Sequence, residues 1–166
     1  MNIRPYPGLT VALATALTGT VPLPAVADDI DEPMIEHCYI QAITEEDAAA
    51  GLMSEIDCYQ VSADTPLEAP AARGTVVLAY IYDVSDTFGD VGVVSGAGCG
   101  STAVFGTGST WDNRISATRL VSCGSAKHWT ASNFTGSNQF VTGLPSSYHT
   151  MNATLNNATS SIQYAP

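Results

Sequence analysis

The sequence predicts a mainly β protein: an antiparallel sandwich of two similar halves, preceded by a short disulfide-stapled segment with one helix. From Thr75 onward, short runs of β-branched and aromatic residues are broken by Gly, Ser, Asn and Thr, the texture of strands joined by turns. No strand-length pattern alternates there with a helix-length one, which excludes a parallel βαβ sheet. The region also repeats itself with a period of about 45 residues. Tyr82 precedes Gly89 as Trp129 precedes Gly136, and Trp111-Asp112-Asn113-Arg114-Ile115-Ser116-Ala117 is answered by Leu155-Asn156-Asn157-Ala158-Thr159-Ser160-Ser161. Each copy alone could bury only half a core, so the two should pack face to face.

The chain has 166 residues, enough for one domain plus a processing segment. Residues 1–27 combine Arg4 with an apolar run through Leu9, Val11, Leu13 and Leu17 and an Ala25-Val26-Ala27 exit before Asp28. That is the pattern of a secretory signal peptide, because the run is too short to span a bilayer. The remaining chain is expected to be secreted, extracellular and without a membrane span. An oxidising compartment makes Cys38, Cys58, Cys99 and Cys123 disulfide partners in preference to ligands or nucleophiles. Of the three possible pairings, Cys38–Cys58 and Cys99–Cys123 is favoured, since each pair lies inside one compositional region. Each bridge would close a loop of roughly 20–25 residues and contribute about 3 kcal/mol. No C-x-x-C pair exists, and His37, His128 and His149 are far apart, which argues against zinc.

Charge divides the chain. Twelve of the 16 acidic residues lie between Asp28 and Glu68, an interval with no Lys or Arg. Such a block repels nucleic acid and anionic membrane, which are therefore not expected partners. Within it, Thr44-Glu45-Glu46-Asp47 reads as a helix start, with the Thr hydroxyl as cap and acids in the first turn, and Ala48, Ala49, Ala50, Leu52 and Met53 carry the pattern towards Ile56. Residues 64–73, with Pro66 and Pro70, read as linker. The expected organisation is a signal peptide at 1–27, an acidic segment with helix and linker at 28–73, and the β domain at 74–166. Expected strands run through 75–82, 92–94, 102–105, 116–122, 126–130, 139–141 and 161–164.

Enzymatic motifs are missing. The glycines near Cys99 and Ser109 form neither G-x-S-x-G nor a phosphate loop, and His128 has no nucleophile at a recognisable spacing, so no catalytic activity is expected.

The repeat resembles the βγ-crystallin superfamily, whose domains are two Greek-key motifs. Its hairpin pattern is aromatic, four spacers, aromatic, spacer, glycine. Trp129, Phe134 and Gly136 fit it, whereas Tyr82 and Gly89 fit with Thr87 at the second aromatic position. The calcium clamp of microbial members reads N/D-N/D-x-x-S/T-S. Asn156-Asn157-Ala158-Thr159-Ser160-Ser161 matches throughout, and Asp112-Asn113-Arg114-Ile115-Ser116-Ala117 departs at the last place. The resemblance covers about residues 75–166 and implies a βγ-crystallin-like sandwich. It also implies calcium ligands from Asp112, Asn113, Asn156 and Asn157, from the main-chain carbonyls of Arg114 and Ala158, and from the Ser116 and Ser160 hydroxyls. Calcium takes six to eight oxygens at about 2.3–2.6 Å, and amide, hydroxyl and main-chain oxygens all qualify. With Asp112 as the single carboxylate among the clamp residues, weak to moderate affinity is expected.

Two functions are compatible with these residues. In one, the protein is a secreted calcium-binding βγ-crystallin-like domain stabilised by the ion. In the other, it is an interaction protein on the same scaffold, resembling metallopeptidase inhibitors or killer-toxin-like members. Its partner would be a secreted protease or another extracellular protein, and the Gly-rich stretch at 94–108, pinned by Cys99, would make the contact.

Overall fold

The computed structural model describes residues 33–66, 75–86, 88–143 and 146–166. The expected signal peptide, most of the expected linker and Thr87 lie outside the described residues. In chain order the elements are β1 (Met34–Gln41), α1 (Glu45–Ala49), β2 (Glu55–Ser62), β3 (Val76–Tyr82), β4 (Val91–Gly96), β5 (Thr102–Val104), β6 (Ala117–Leu120), β7 (Ser125–Trp129), β8 (Asn138–Thr142), β9 (Tyr148–Thr150) and β10 (Ser161–Ala165).

The strands form two sheets, ordered β2-β1-β4-β3-β6-β9 and β5-β10-β7-β8. Strands β3 to β6 make one Greek key and β7 to β10 the other. Each key keeps three strands in its own sheet and lends its third to the opposite one: β5 pairs with β10, and β9 with β6. Neither sheet is complete without the other motif, which is the structural form of the expected face-to-face packing. The core between the sheets holds Leu78, Ile81, Val94, Phe105, Ile115, Leu120 and Ile162, all buried. Trp111 and Leu155 stand at corresponding places in the two repeats, and both are fully buried.

The acidic segment contributes more than the expected helix. Strands β1 and β2 form an antiparallel hairpin, and β1 pairs in parallel with β4, with Cys38 opposite Gly92. The hairpin thereby extends the first sheet, and Cys38 and Ile40 join the same core cluster as Leu78 and Leu120. Gly92 permits this approach, because a Cβ there would meet the side chains of Ile81 and Ile40. Residues 31–166 form one compact unit.

Helix α1 is shorter than the sequence suggests. Its start is as expected, with a complete capping box in which Asp47 N donates to Thr44 Oγ1 at 3.1 Å and Thr44 N to Asp47 Oδ2 at 3.4 Å. It ends at Ala49 because Gly51 takes φ +84°, a left-handed conformation that terminates a helix and frees Ile56 to enter β2. Both disulfides are as expected, Cys38–Cys58 across the β1–β2 pair and Cys99–Cys123 between the β4–β5 turn and the β6–β7 turn. Much of the 94–108 stretch read as a Gly-rich loop is strand. What remains at its first turn, 97–101, is tied down by Gly100 N donating to the Tyr164 carbonyl at 2.8 Å.

Candidate metal centre

The two clamps lie in the connections entering β6 and β10, where each motif returns to its own sheet. Their second residues, Asn113 and Asn157, take φ +57° and +53°. Asparagine tolerates this left-handed conformation better than most residues, which explains its place in both turns. The main chains then cross: Asn113 N donates to the Thr159 carbonyl at 3.1 Å, and Asn157 N to the Ile115 carbonyl at 3.0 Å. Each clamp is thus anchored on the other.

The side chains cross in the same way. Ser116 Oγ lies 2.7 Å from the Asp83 carbonyl and 3.0 Å from Asn157 Oδ1. Ser160 Oγ lies 2.6 Å from Asp112 Oδ1 and 3.4 Å from Asn113 Oδ1. Asn113 Nδ2 donates to Asp112 Oδ2 at 3.1 Å, which turns the Asn113 carbonyl oxygen towards Ser160. Every hydroxyl has one proton, so each of these serines faces two acceptors with one donor. Two oxygen-rich clusters result, one formed by Ser116, Asn157 and Asp83 and the other by Ser160, Asp112 and Asn113. Both serines are buried, at 3% and 6% exposure, whereas Asn113 and Asn157 are exposed, so each cluster has a buried hydroxyl and opens towards solvent on its asparagine side. The donor set is entirely oxygen, which suits a hard cation such as calcium.

The remaining clamp residues play different parts. Asn156 is exposed and its main-chain N–H donates to the Asn152 carbonyl at 2.9 Å; Ala158 N donates to the Leu155 carbonyl at 3.0 Å. The sixth residue of the second clamp, Ser161, directs its hydroxyl to the Ala131 carbonyl at 2.7 Å, away from the oxygen cluster. Ala117, its counterpart, therefore lacks a tie to the hairpin and not an oxygen of the cluster. The sequence did not point to Asp83. It immediately follows the aromatic Tyr82 of the hairpin pattern, and its carbonyl is presented because Ser116 N is bound to the Tyr82 carbonyl at 2.8 Å.

The Arg114 side chain turns to acids that sequence reading did not connect with it. Its Nη1 donates to Glu36 Oε2 at 3.0 Å, and its Nη2 to Asp83 Oδ2 at 3.2 Å and, more closely, to Asp90 Oδ2. Burial alone would lower its pKa, but the hydrogen bond to Glu36 and the charges of Asp90 and Asp83 outweigh that and raise it. Arg114 also lies over Trp111, 5.6 Å from the ring centre. Elsewhere, Glu36, Cys38 and Cys58 bring a carboxylate near two sulfurs, but the sulfurs are joined in a disulfide and offer no thiolate.

Two Greek keys exchange their third strands, and their clamps interlock at the exchange. The fold is βγ-crystallin-like. Neither a protein-family model nor a curated protein sequence matches the chain. A solved structure described as "Evolution of the eye lens beta-gamma-crystallin domain fold" is similar to it, with 19% identity and a TM-score of 0.40, over 60% of this chain and 93% of its own.

Proposed function

We propose that this is a secreted calcium-binding protein in which the ion, held by the paired clamps, stabilises the sandwich. The observation that carries this reading is the reciprocal pair of part-buried oxygen clusters, each centred on a buried serine. Ser116 and Ser160 each face two acceptors with one proton, and each cluster draws groups from both motifs. A cation coordinated by these oxygens would take up lone pairs that the single hydroxyl proton leaves unbonded and would lock the motifs together. Asp112 is the single clamp carboxylate, so the affinity expected is that of weaker extracellular sites. The two disulfides accord with an extracellular setting.

The test is thermal unfolding of the disulfide-intact chain from Asp28 onward, first with EDTA, then with calcium titrated into the millimolar range and magnesium as control. A calcium-selective, saturable rise in midpoint is expected, corresponding to about 2.7 kcal/mol at one hundred times the dissociation constant. A flat response would reduce the clamps to turn chemistry.

A further inference from the structure

We propose that Arg114 couples ion binding at the Ser116–Asn157–Asp83 cluster to the seating of the β1–β2 hairpin, an inference that rests on the calcium reading above. Arg114 belongs to the first clamp by sequence, yet its guanidinium grips Glu36 on β1 together with Asp83 and Asp90 beside the β3–β4 connection. Glu36 N closes the network by donating to Asp90 Oδ1 at 2.6 Å. The carboxylate side chains are only 20–22% exposed and that of Arg114 32%, so solvent screens the group less than it would a surface pair.

Asp83 joins the two sites. Its carbonyl accepts from the Ser116 hydroxyl, while its carboxylate accepts from Arg114 through Oδ2 and keeps Oδ1 buried without a partner. Three carboxylates against one guanidinium leave a formal charge of −2 beside the oxygen cluster. The guanidinium repels an arriving cation, but three acids outnumber it, and the sum attracts the ion. Glu36 supplies one of those acids from the hairpin. Because binding couplings are reciprocal, a hairpin that favours the ion must itself be held more firmly when the ion is bound. The acidic segment then acts as part of the ion site's surroundings.

The experiment is calorimetric calcium titration of the chain from Asp28, compared with Glu36→Gln and with Glu46→Gln, which removes the same charge from the exposed start of α1. Amide hydrogen exchange in β1 and β2 is followed with and without calcium. One of the two sites should lose at least about fivefold in affinity in Glu36→Gln, with the other site and Glu46→Gln unchanged. Calcium should slow exchange in β1 and β2, and the change should largely disappear in Glu36→Gln. Arg114→Lys keeps the charge but not the forked contact to Glu36, so calcium should slow exchange in β1 and β2 less than in the wild-type chain. Unchanged calcium affinity in Glu36→Gln, or an equal loss in Glu46→Gln, overturns the coupling alone. A wild-type chain that binds no calcium overturns the calcium reading, and the coupling with it.

Discussion

Asn157 does two jobs that a single substitution can separate. Its backbone occupies the left-handed region, and its side-chain oxygen faces Ser116. Glycine accepts that backbone conformation without a Cβ and offers no oxygen. In Asn157→Gly, stability measured in EDTA should therefore change by no more than about 1 kcal/mol, while the calcium-dependent rise in midpoint shrinks. If the asparagine served the turn alone, the calcium response would survive. Ser116→Ala approaches the same cluster from the other motif. It removes the hydroxyl between the Asp83 and Asn157 oxygens, at a cost of about 1 kcal/mol without the ion and with loss of calcium-linked stabilisation at that site. Titration of both variants by differential scanning calorimetry checks the pair. The identity of these residues was legible in the sequence because the clamp is contiguous. Their partners were not: Ser116 reaches Asp83 from 33 positions away, and Arg114 reaches Glu36 from 78. Spacing along the chain carries no information about such contacts until the strands are paired.

Hairpins show the same limit one level up. Gly136, at the glycine of the aromatic hairpin pattern, adopts φ +81°, and a Cβ there would run into Thr130 Oγ1. That hydroxyl already accepts from Ser137 N at 3.1 Å and so cannot turn away without breaking the turn. Gly51 has nearly the same φ, +84°, but open space around it. Gly51→Ala should thus cost about 1 kcal/mol, from conformation alone, and Gly136→Ala about 2–3 kcal/mol because the clash is added. Urea unfolding of the two variants measures the difference. All seven expected strands correspond to observed ones within two residues at each end, since β-branched runs bounded by turn residues mark them. Strands β1, β2 and β9 were not anticipated. Alternation in β2 (Glu55, Ile56, Asp57, Cys58, Tyr59) was masked by continuing the helix through Gly51, and β9 is only three residues, whose place is set by pairing with β6. The addition of β1 parallel to β4 could not be read locally, because it depends on Gly92 leaving room for Ile40.

At the scale of the whole molecule, the sandwich places ionisable histidines where charge is costly. His128 lies between the sheets, fully buried, with Nε2 at 3.1 Å from Thr118 Oγ1 across the sandwich and Nδ1 without a partner. Burial, reinforced by His149, pushes its pKa from 6.5 down to about 3. His37, buried on the other side of the first sheet, is also lowered by burial, against a raising contribution from Asp90. A folded pKa below the unfolded one means that the unfolded chain takes up a proton which the folded chain refuses. The stability from neutral His128 is therefore fully present above about pH 6.5 and drains away as pH falls towards 3, by about 1.4 kcal/mol per unit. The interval from pH 6.5 to 5 lies on this fall. Denaturant unfolding across it, in EDTA, should show a loss of about 2 kcal/mol or more. In His128→Gln, which keeps a neutral polar group facing Thr118, the slope should fall by about one proton. An unchanged slope would place the acid sensitivity outside the core, because among the described residues no other group of the sandwich interior is driven so far from its ordinary pKa within that window.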